Sequence, residues 1–220
     1  MQAEQAMKLD TQNTPSVDET MFQNSWQRSW HSLGIQPAPG LQAQLLSAYR
    51  EPQRHYHTLQ HLQECLTHWE RVIQLAQFPA ELELALWFHD AVYEVKAKDN
   101  EAQSARWASQ ALQQSGASAE QIQRVQDLIM ATCHQAAPSE ADAQLLVDID
   151  LAILGAEPPR FAEYDAQVRA EYRWVPGWIY RSKRKQVLRS FLARDAIYSS
   201  PHFHAQLEAQ ARLNLAASSR

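Results

Sequence analysis

The 220-residue chain is long enough to bury one sizeable core, so a single domain is expected. Its net charge of −5 provides no overall basic field for duplex nucleic acid or an anionic membrane, and no apolar run approaches the roughly 20 residues that span a bilayer. Two cysteines make no disulfide framework and residues 1–16 lack an apolar secretory core, so we expect a cytoplasmic protein with a disordered tail, residues 1–16, before one domain, residues 17–220.

Good helix-forming residues fill the segments between the five glycines and ten prolines, and no segment alternates as a strand does. The chain is therefore predicted to be all-α, a bundle of about nine to ten helices. In chain order the predicted helices cover approximately residues 17–33, 41–49, 56 or 58 to 73, 79–89, 100–114, 118–134, 139–155, 158–174, 178–195 and 200 onward. Two capping signals are expected, a capping box at 118–121 and a cap for the seventh helix within 139–142.

The fourth predicted helix ends in an unusual way. Its apolar run, residues 82–88, stops at His89 and Asp90, which should therefore be buried or nearly so. A buried carboxylate is costly unless it is paired, hydrogen-bonded or bound to a cation. The seventh helix repeats this feature, because Asp148 and Asp150 lie within an otherwise apolar stretch.

Histidines elsewhere in the chain supply partners for these acids. His57 and His61 are four residues apart, so on a helix they lie one turn apart on the same face. Two imidazoles and two carboxylates from three helices would suit a divalent cation such as Mn, Fe, Ni, Co or Zn, and partly Mg. Other readings stay open, since His89 and Asp90 could form a hydrogen-bonded pair at the helix end. Either acid of the seventh helix could also simply accept hydrogen bonds from a neighbouring helix.

The order of these residues resembles that of the HD superfamily of metal-dependent phosphohydrolases. The shared elements are a histidine, a His-Asp pair and a distant aspartate, here His61, His89-Asp90 and Asp150. A longer pattern is similar to one bacterial branch of undefined substrate, and it comprises residues 51–61, 86–93, 100–105, 148–155, 169–172, 180 and 184. The resemblance implies an HD-type helical bundle, a divalent metal held by His61, His89, Asp90 and Asp150, and hydrolysis of a small phosphoester or nucleotide by an activated water.

The segment 56–61 also resembles the opening of cyclic nucleotide phosphodiesterases, which share that fold. This likeness implies that His61 ligates the metal and that His57 acts as general acid. It also favours Asp150, which precedes Leu151, over the alternative ligand Asp148. Thr58 stands where those enzymes usually carry asparagine, which weakens a prediction of cyclic nucleotide as the substrate.

Five further residues are candidates for supporting roles. His134 could complete a second metal position, or it could merely interact with a helix dipole. Glu101 could orient the attacking water or hold a second ion, although an acid is also favoured in any first helical turn. Arg54, Lys98 and Arg184 could bind phosphate oxygens. The basic run 181–185 is interpreted as a solvated helix face with one member turned toward substrate.

The expected partner is a small phosphorylated molecule, with neither duplex nucleic acid nor membrane, and a homodimer is left open. Two other functions remain. One is an HD-fold di-iron oxygenase, which His134 would serve. The other is a non-catalytic helical interaction protein with a structural metal, for which four tryptophans could be interface anchors: Trp26, Trp30, Trp174 and Trp178.

Overall fold

The computed structural model describes residues 17–134 and 138–219, and within these ranges the chain is all-α, as predicted. The predicted 1–16 tail lies outside the described residues. The described residues form ten α-helices: α1 (Val17–Ser32), α2 (Leu41–Ala48), α3 (Leu59–Glu70), α4 (Pro79–Phe88), α5 (Asn100–Gln114), α6 (Ala119–Ala131), α7 (Ala141–Asp150), α8 (Pro158–Glu171), α9 (Gly177–Leu192) and α10 (Pro201–Ser218). Short 3-10 helices cover Ile73–Leu75 and Leu151–Gly155.

Prolines and capping side chains set where several helices begin. Prolines occupy the first turns of α4, α8 and α10, where a missing N–H costs nothing. The predicted capping box of α6 is confirmed. The backbone N–H of Gln121 donates to Ser118 Oγ at 3.3 Å, and the backbone N–H of Ser118 donates to Gln121 Oε1 at 2.8 Å. Thr58 caps α3 in the same way, because its hydroxyl accepts from the Gln60 amide.

Helix α7 begins within the predicted segment 139–142, but the prediction of a capping side chain there is wrong. The N-cap residue is Glu140, and its side chain makes no capping hydrogen bond. The Asp142 carboxylate instead accepts the backbone amides of Gln77 and Phe78, both at 2.8 Å. Those amides precede the first turn of α4 and have no helical partner, so a carboxylate from α7 satisfies them and ties the two helices together.

Helix α4 is the central helix of the bundle. Residues 82–88 are almost completely inaccessible to solvent, and α4 packs against α1, α3, α5, α6 and α7. Its Trp87 indole donates to Ser25 Oγ at 2.9 Å and meets the edge of Trp26. Trp26 and Trp30 therefore belong to the core, which contradicts an interface role for them, whereas Trp174 and Trp178 are exposed.

The end of α4 determines where the candidate site lies. Helix α4 stops at Phe88, so His89 caps it and Asp90 lies in the following turn. Helices α3 and α7 both pack on α4 and on each other, which brings His61 and Asp150 to the same point. None of the described helices is long and apolar enough to cross a bilayer.

Candidate metal centre

Four side chains from three helices converge at the end of α4. His61 Nε2 lies 3.1 Å from His89 Nε2, 3.1 Å from Asp150 Oδ1 and 3.4 Å from Asp90 Oδ2. His89 Nε2 lies 3.1 Å from Asp90 Oδ2 and 3.7 Å from Asp150 Oδ1. Ligands about 2.1 Å from one ion are about 3.0 Å apart at right angles and about 3.4 Å apart at tetrahedral angles, so these spacings suit a shared cation.

The hydrogen bonding of His89 prepares it to ligate. Its Nδ1 lies 2.8 Å from the carbonyl oxygen of Leu86, which can only accept, so the proton is on Nδ1. In the neutral ring the lone pair is then on Nε2, the nitrogen that faces the cluster. A backbone carbonyl that fixes the tautomer in this way is a usual support for a ligating imidazole.

Cys65 is a member of the cluster that the sequence did not suggest. Ligand atoms of His61, Cys65, His89 and Asp150 all lie within 4.8 Å of one another, and this group could hold a metal ion. Cys65 Sγ is 3.7 Å from His61 Nε2, and the thiol is buried. The signal was available, because Cys65 follows His61 by four residues on α3 and so lies on the same face.

The two aspartates of α7 point in different directions. Asp150 faces the cluster, whereas Asp148 accepts the backbone amides of Ser199 at 2.9 Å and Ser200 at 2.6 Å. Asp148 thus holds the segment that leads into α10, and burial raises the pKa of its carboxyl. The alternative ligand Asp148 is therefore not brought to the site, because its oxygens are committed to α10.

Asp150 also contacts His134 through its second oxygen. His134 Nε2 lies 2.9 Å from Asp150 Oδ2, while Asp150 Oδ1 faces His61. His134 follows the end of α6 with φ of 53°, a left-handed conformation uncommon outside glycine, and its carbonyl accepts from Arg194 at 3.1 Å. The contact with Asp150 is the arrangement that a carboxylate shared between two ion positions would require.

His57 lies beside the cluster and is oriented by an acid from α8. Its Nδ1 is 2.9 Å from Glu171 Oε2, which also accepts from the Tyr93 hydroxyl at 2.8 Å, and the Tyr93 ring stacks on the imidazole at 4.1 Å. Glu171 Oε1 accepts the amides of residues 55, 56 and 57. Burial opposes ionisation of Glu171, but these hydrogen bonds outweigh it and lower its pKa to about 2. His57 is thereby held with Nε2 as its available nitrogen.

A cavity of about 550 Å³ opens beside His57, Asp90, His134 and Asp150. Helix α9 forms one wall, and His57 also lines the cavity, whereas the cluster reaches it through Asp90 and Asp150 alone. The candidate residues that line the cavity are His57, Asp90, Glu101, His134, Asp150 and Arg184. Lys98 is exposed in the loop before α5 and is not among the residues lining the cavity, so the structure does not bring it to the site.

Arg54 does not reach the cavity either. Its guanidinium donates to Glu51, to the carbonyls of His57 at 3.2 Å and Asp90 at 2.6 Å, and to the carbonyl of Ala91 at 2.9 Å. The side chain is 0% exposed, so no face is left for a phosphate. Arg54 instead joins the loop that carries His57 to the turn that carries Asp90.

Arg54→Met is expected to lower the free energy of unfolding by about 3 kcal/mol or more, because it leaves buried carbonyls without a donor. Urea denaturation would measure this loss. Arg50→Met, at an exposed position nearby, is the control and should change stability little. Equal stability of the two variants would contradict the structural role of Arg54.

No protein-family model, curated protein or solved structure matches this chain. The side chains around the cavity are therefore the basis for inferring function.

Opposite charges stabilise the cluster in the ion-free protein. Burial opposes protonation of His61 and His89, yet their anionic surroundings, which include Asp90 and Asp150, raise the pKa of both imidazoles well above the usual value. Burial likewise opposes ionisation of both aspartates, yet the imidazoles lower the pKa of each well below its usual value. A cation must therefore displace protons from the histidines in order to bind.

Cation binding near neutral pH is expected to release about one proton or more, and the affinity should fall as the pH is lowered. Titration calorimetry with Mn²⁺ or Zn²⁺ in two buffers of different ionisation enthalpy would count the protons. An observed enthalpy that is the same in both buffers would show that no proton is displaced and would contradict this account of the cluster.

Proposed function

We propose that the protein is a metal-dependent phosphohydrolase that acts on a small phosphoester. The observation that carries the proposal is the pairing of two elements in one cavity. One is a cluster of imidazoles and carboxylates with the spacing of ion ligands, which meets the cavity through Asp90 and Asp150, and the other is His57, held by a buried carboxylate. The sequence resemblance to HD-type phosphohydrolases supports the same assignment.

The donor set fits a divalent transition metal. His61, His89, Asp90 and Asp150 offer two nitrogens and two oxygens, which suit Mn, Fe, Co, Ni or Zn, and Cys65 would favour the softer of these. An ion held there would lower the pKa of water and stabilise negative charge on a phosphoryl group.

His57 would act as the general acid. Because Glu171 can only accept, His57 presents Nδ1–H to it and Nε2 to the cavity, and a protonated ring could donate from Nε2 to the leaving oxygen. The Tyr93 ring packs against the imidazole and limits its rotation. Glu101, which lines the same cavity, would orient the attacking water.

The contact between His134 and Asp150 favours a second candidate function. A carboxylate whose two oxygens face two different histidines could bridge two ions, and a di-iron oxygenase would use such a site. The two reactions differ in what they consume, since an oxygenase takes up O₂ and a hydrolase releases phosphate.

A metal-by-substrate screen would test the proposal. The purified protein is analysed for bound metals and then assayed with Mn, Co, Ni, Zn, Fe and Mg against phosphomonoesters, nucleotides and pyrophosphate. Release of phosphate that requires the ion supports the hydrolase. Oxygen uptake by an iron-loaded protein without phosphate release supports the oxygenase. Neither activity in a folded, metal-bound protein would leave a structural metal as the better account.

A further inference from the structure

The wall of the cavity formed by α9 carries hydrogen-bond donors without partners. Residues 180, 184, 187 and 191 recur at helical spacing on α9 and all line the cavity. On this stripe the Tyr180 hydroxyl and Arg184 Nη2 are buried and have no hydrogen-bond partner within the part of the chain that the structure describes. Buried polar groups are nearly always satisfied, so two such donors one turn apart indicate an acceptor that arrives with a ligand.

The protein fixes the position of both donors while leaving these atoms free. Arg184 Nε donates to Asp165 Oδ1 at 3.0 Å, and its guanidinium lies 4.9 Å from the centre of the Tyr164 ring. The Tyr180 ring lies 4.6 Å from the Arg169 guanidinium. Burial raises the pKa of the Tyr180 hydroxyl to about 12, so this group remains a donor at neutral pH.

These donors are separated from the ion cluster by two aromatic rings. Arg184 contacts Tyr164, the Tyr164 and Tyr56 rings are 4.6 Å apart, and Tyr56 is 4.7 Å from the His61 ring. The ion pair of Arg184 is with Asp165 and involves neither Asp90 nor Asp150. An acceptor on Arg184 can therefore be a different part of the substrate from the phosphoryl group that the cluster would bind.

The charge near α9 indicates what kind of acceptor this is. Eight of the 20 lysines and arginines, but only one of the 25 acids, fall within residues 169–194. That single acid, Glu171, is buried and bound to His57 and Tyr93, and Asp165 on α8 pairs with Arg184 through Nε and not through Nη2. A guanidinium in such surroundings prefers an anion over a neutral acceptor.

We propose that Arg184 and Tyr180 form a second anion subsite, and that the substrate is a phosphoester whose leaving group carries a further phosphate or carboxylate. This inference rests on the proposed phosphohydrolase function for the identity of the first site. Arg184 thus becomes a specificity-determining residue for the leaving group, and simple monoesters are predicted to be poor substrates.

Binding of unreactive analogues to the Mn²⁺-loaded protein tests the subsite without turnover. Titration calorimetry would compare alkylphosphonates with bisphosphonates and phosphonocarboxylates of the same chain lengths. The doubly anionic ligands are expected to bind about 10- to 100-fold more tightly at the best length. The phosphonate and carboxylate series identify which second anion the site prefers.

Variants assign this advantage to particular atoms. Tyr180→Phe removes a hydroxyl that has no partner among residues 17–134 and 138–219, so this variant should fold normally. Both it and Arg184→Met should reduce the advantage while leaving alkylphosphonate affinity unchanged. Arg181→Met is the matched control, since Arg181 lies on the exposed face of the same helix, and it should keep the advantage. Equal binding of singly and doubly anionic ligands, or an advantage that survives Arg184→Met, would overturn the subsite.

Assays of phosphate release separate this inference from the proposed function. If matched monoesters and bisphosphates are hydrolysed alike and their analogues bind alike, the phosphohydrolase stands and the second subsite is wrong. If doubly anionic analogues bind better through Arg184 but no ester is hydrolysed, the subsite stands and the proposed reaction is wrong.

Discussion

Asp150→Asn is expected to reduce the affinity for Mn²⁺ or Zn²⁺ by about 100-fold or more. Asp150 Oδ1 faces His61 and Oδ2 faces His134, so the carboxylate joins both histidines to the site. An amide is neutral and a weaker ligand, and the remaining carboxylate of Asp90 would have to balance the charge of the ion alone. Titration calorimetry and metal analysis after dialysis would measure the loss.

Asp148→Asn is the matched control, because it makes the same chemical change two residues earlier on α7. It should retain the ion but lower the free energy of unfolding by about 1–3 kcal/mol, since the amides of Ser199 and Ser200 lose a charged acceptor. The opposite pattern, with the ion lost in Asp148→Asn and kept in Asp150→Asn, would show that the assignment of the two acids is reversed. Far-UV circular dichroism confirms that both variants fold.

These two acids show where sequence reasoning reaches its limit. Both lie in an apolar stretch, and their spacing turns them about 200° apart on a helix, so only one can face the cluster. Which one does depends on where α4 and α10 pack, and the hydrophobic pattern of α7 does not specify that. Similarity to a known motif favours Asp150 as the ligand. The structure adds the physical reason, because Asp148 is bound to the segment that leads into α10.

The helices themselves were predictable because their ends have local causes. Prolines in first turns, the capping box at Ser118 and polar breaks act within a few residues, so the sequence reveals them directly. The same local reasoning failed for Asp142, because its partners are amides more than 60 residues away. Long-range partners have no signature in one sequence.

The roles of Arg54 and Glu171 also depend on partners that are distant in the sequence. An arginine near candidate ligands predicts phosphate binding, yet the tertiary structure surrounds Arg54 with backbone carbonyls. The sequence does not reveal the role of Glu171, because its partner His57 is 114 residues away along the chain. Buried charged side chains with several fixed partners result from tertiary packing, so a three-dimensional structure is needed to find them.

Glu171→Gln tests whether that carboxylate is an ionised anchor in the folded protein. The pKa of Glu171 is about 2 in the folded protein, below the ordinary value of 4.5. Ionised Glu171 should therefore stabilise the fold fully above about pH 4.5, by about 3 kcal/mol, and this contribution should disappear as the pH falls through about 2. Urea denaturation of both proteins across this range should show a stability difference that narrows with acid. A constant difference would mean that charge on Glu171 contributes nothing.

His57→Ala is expected to lower the rate of phosphate release by about 10²- to 10⁴-fold while the bound ion stays in place. The reason is geometric: His57 borders the cavity beside Asp90, but its ring nitrogen Nδ1 is engaged by Glu171 and not by the cluster. The side chain can thus be removed without taking a ligand from the ion. Steady-state assays on the best ester from the metal-by-substrate screen, together with metal analysis, would measure both quantities.

His55→Ala provides a control of the same residue type two positions away. Only the backbone amide of His55 contacts Glu171, so removing its imidazole should leave both the rate and the ion content unchanged. Loss of the ion from His57→Ala would make His57 a ligand instead of a proton donor. An unchanged rate with the ion retained would show that His57 takes no part in the reaction. Proton donation would then have to come from another titratable group in the cavity, such as Glu101.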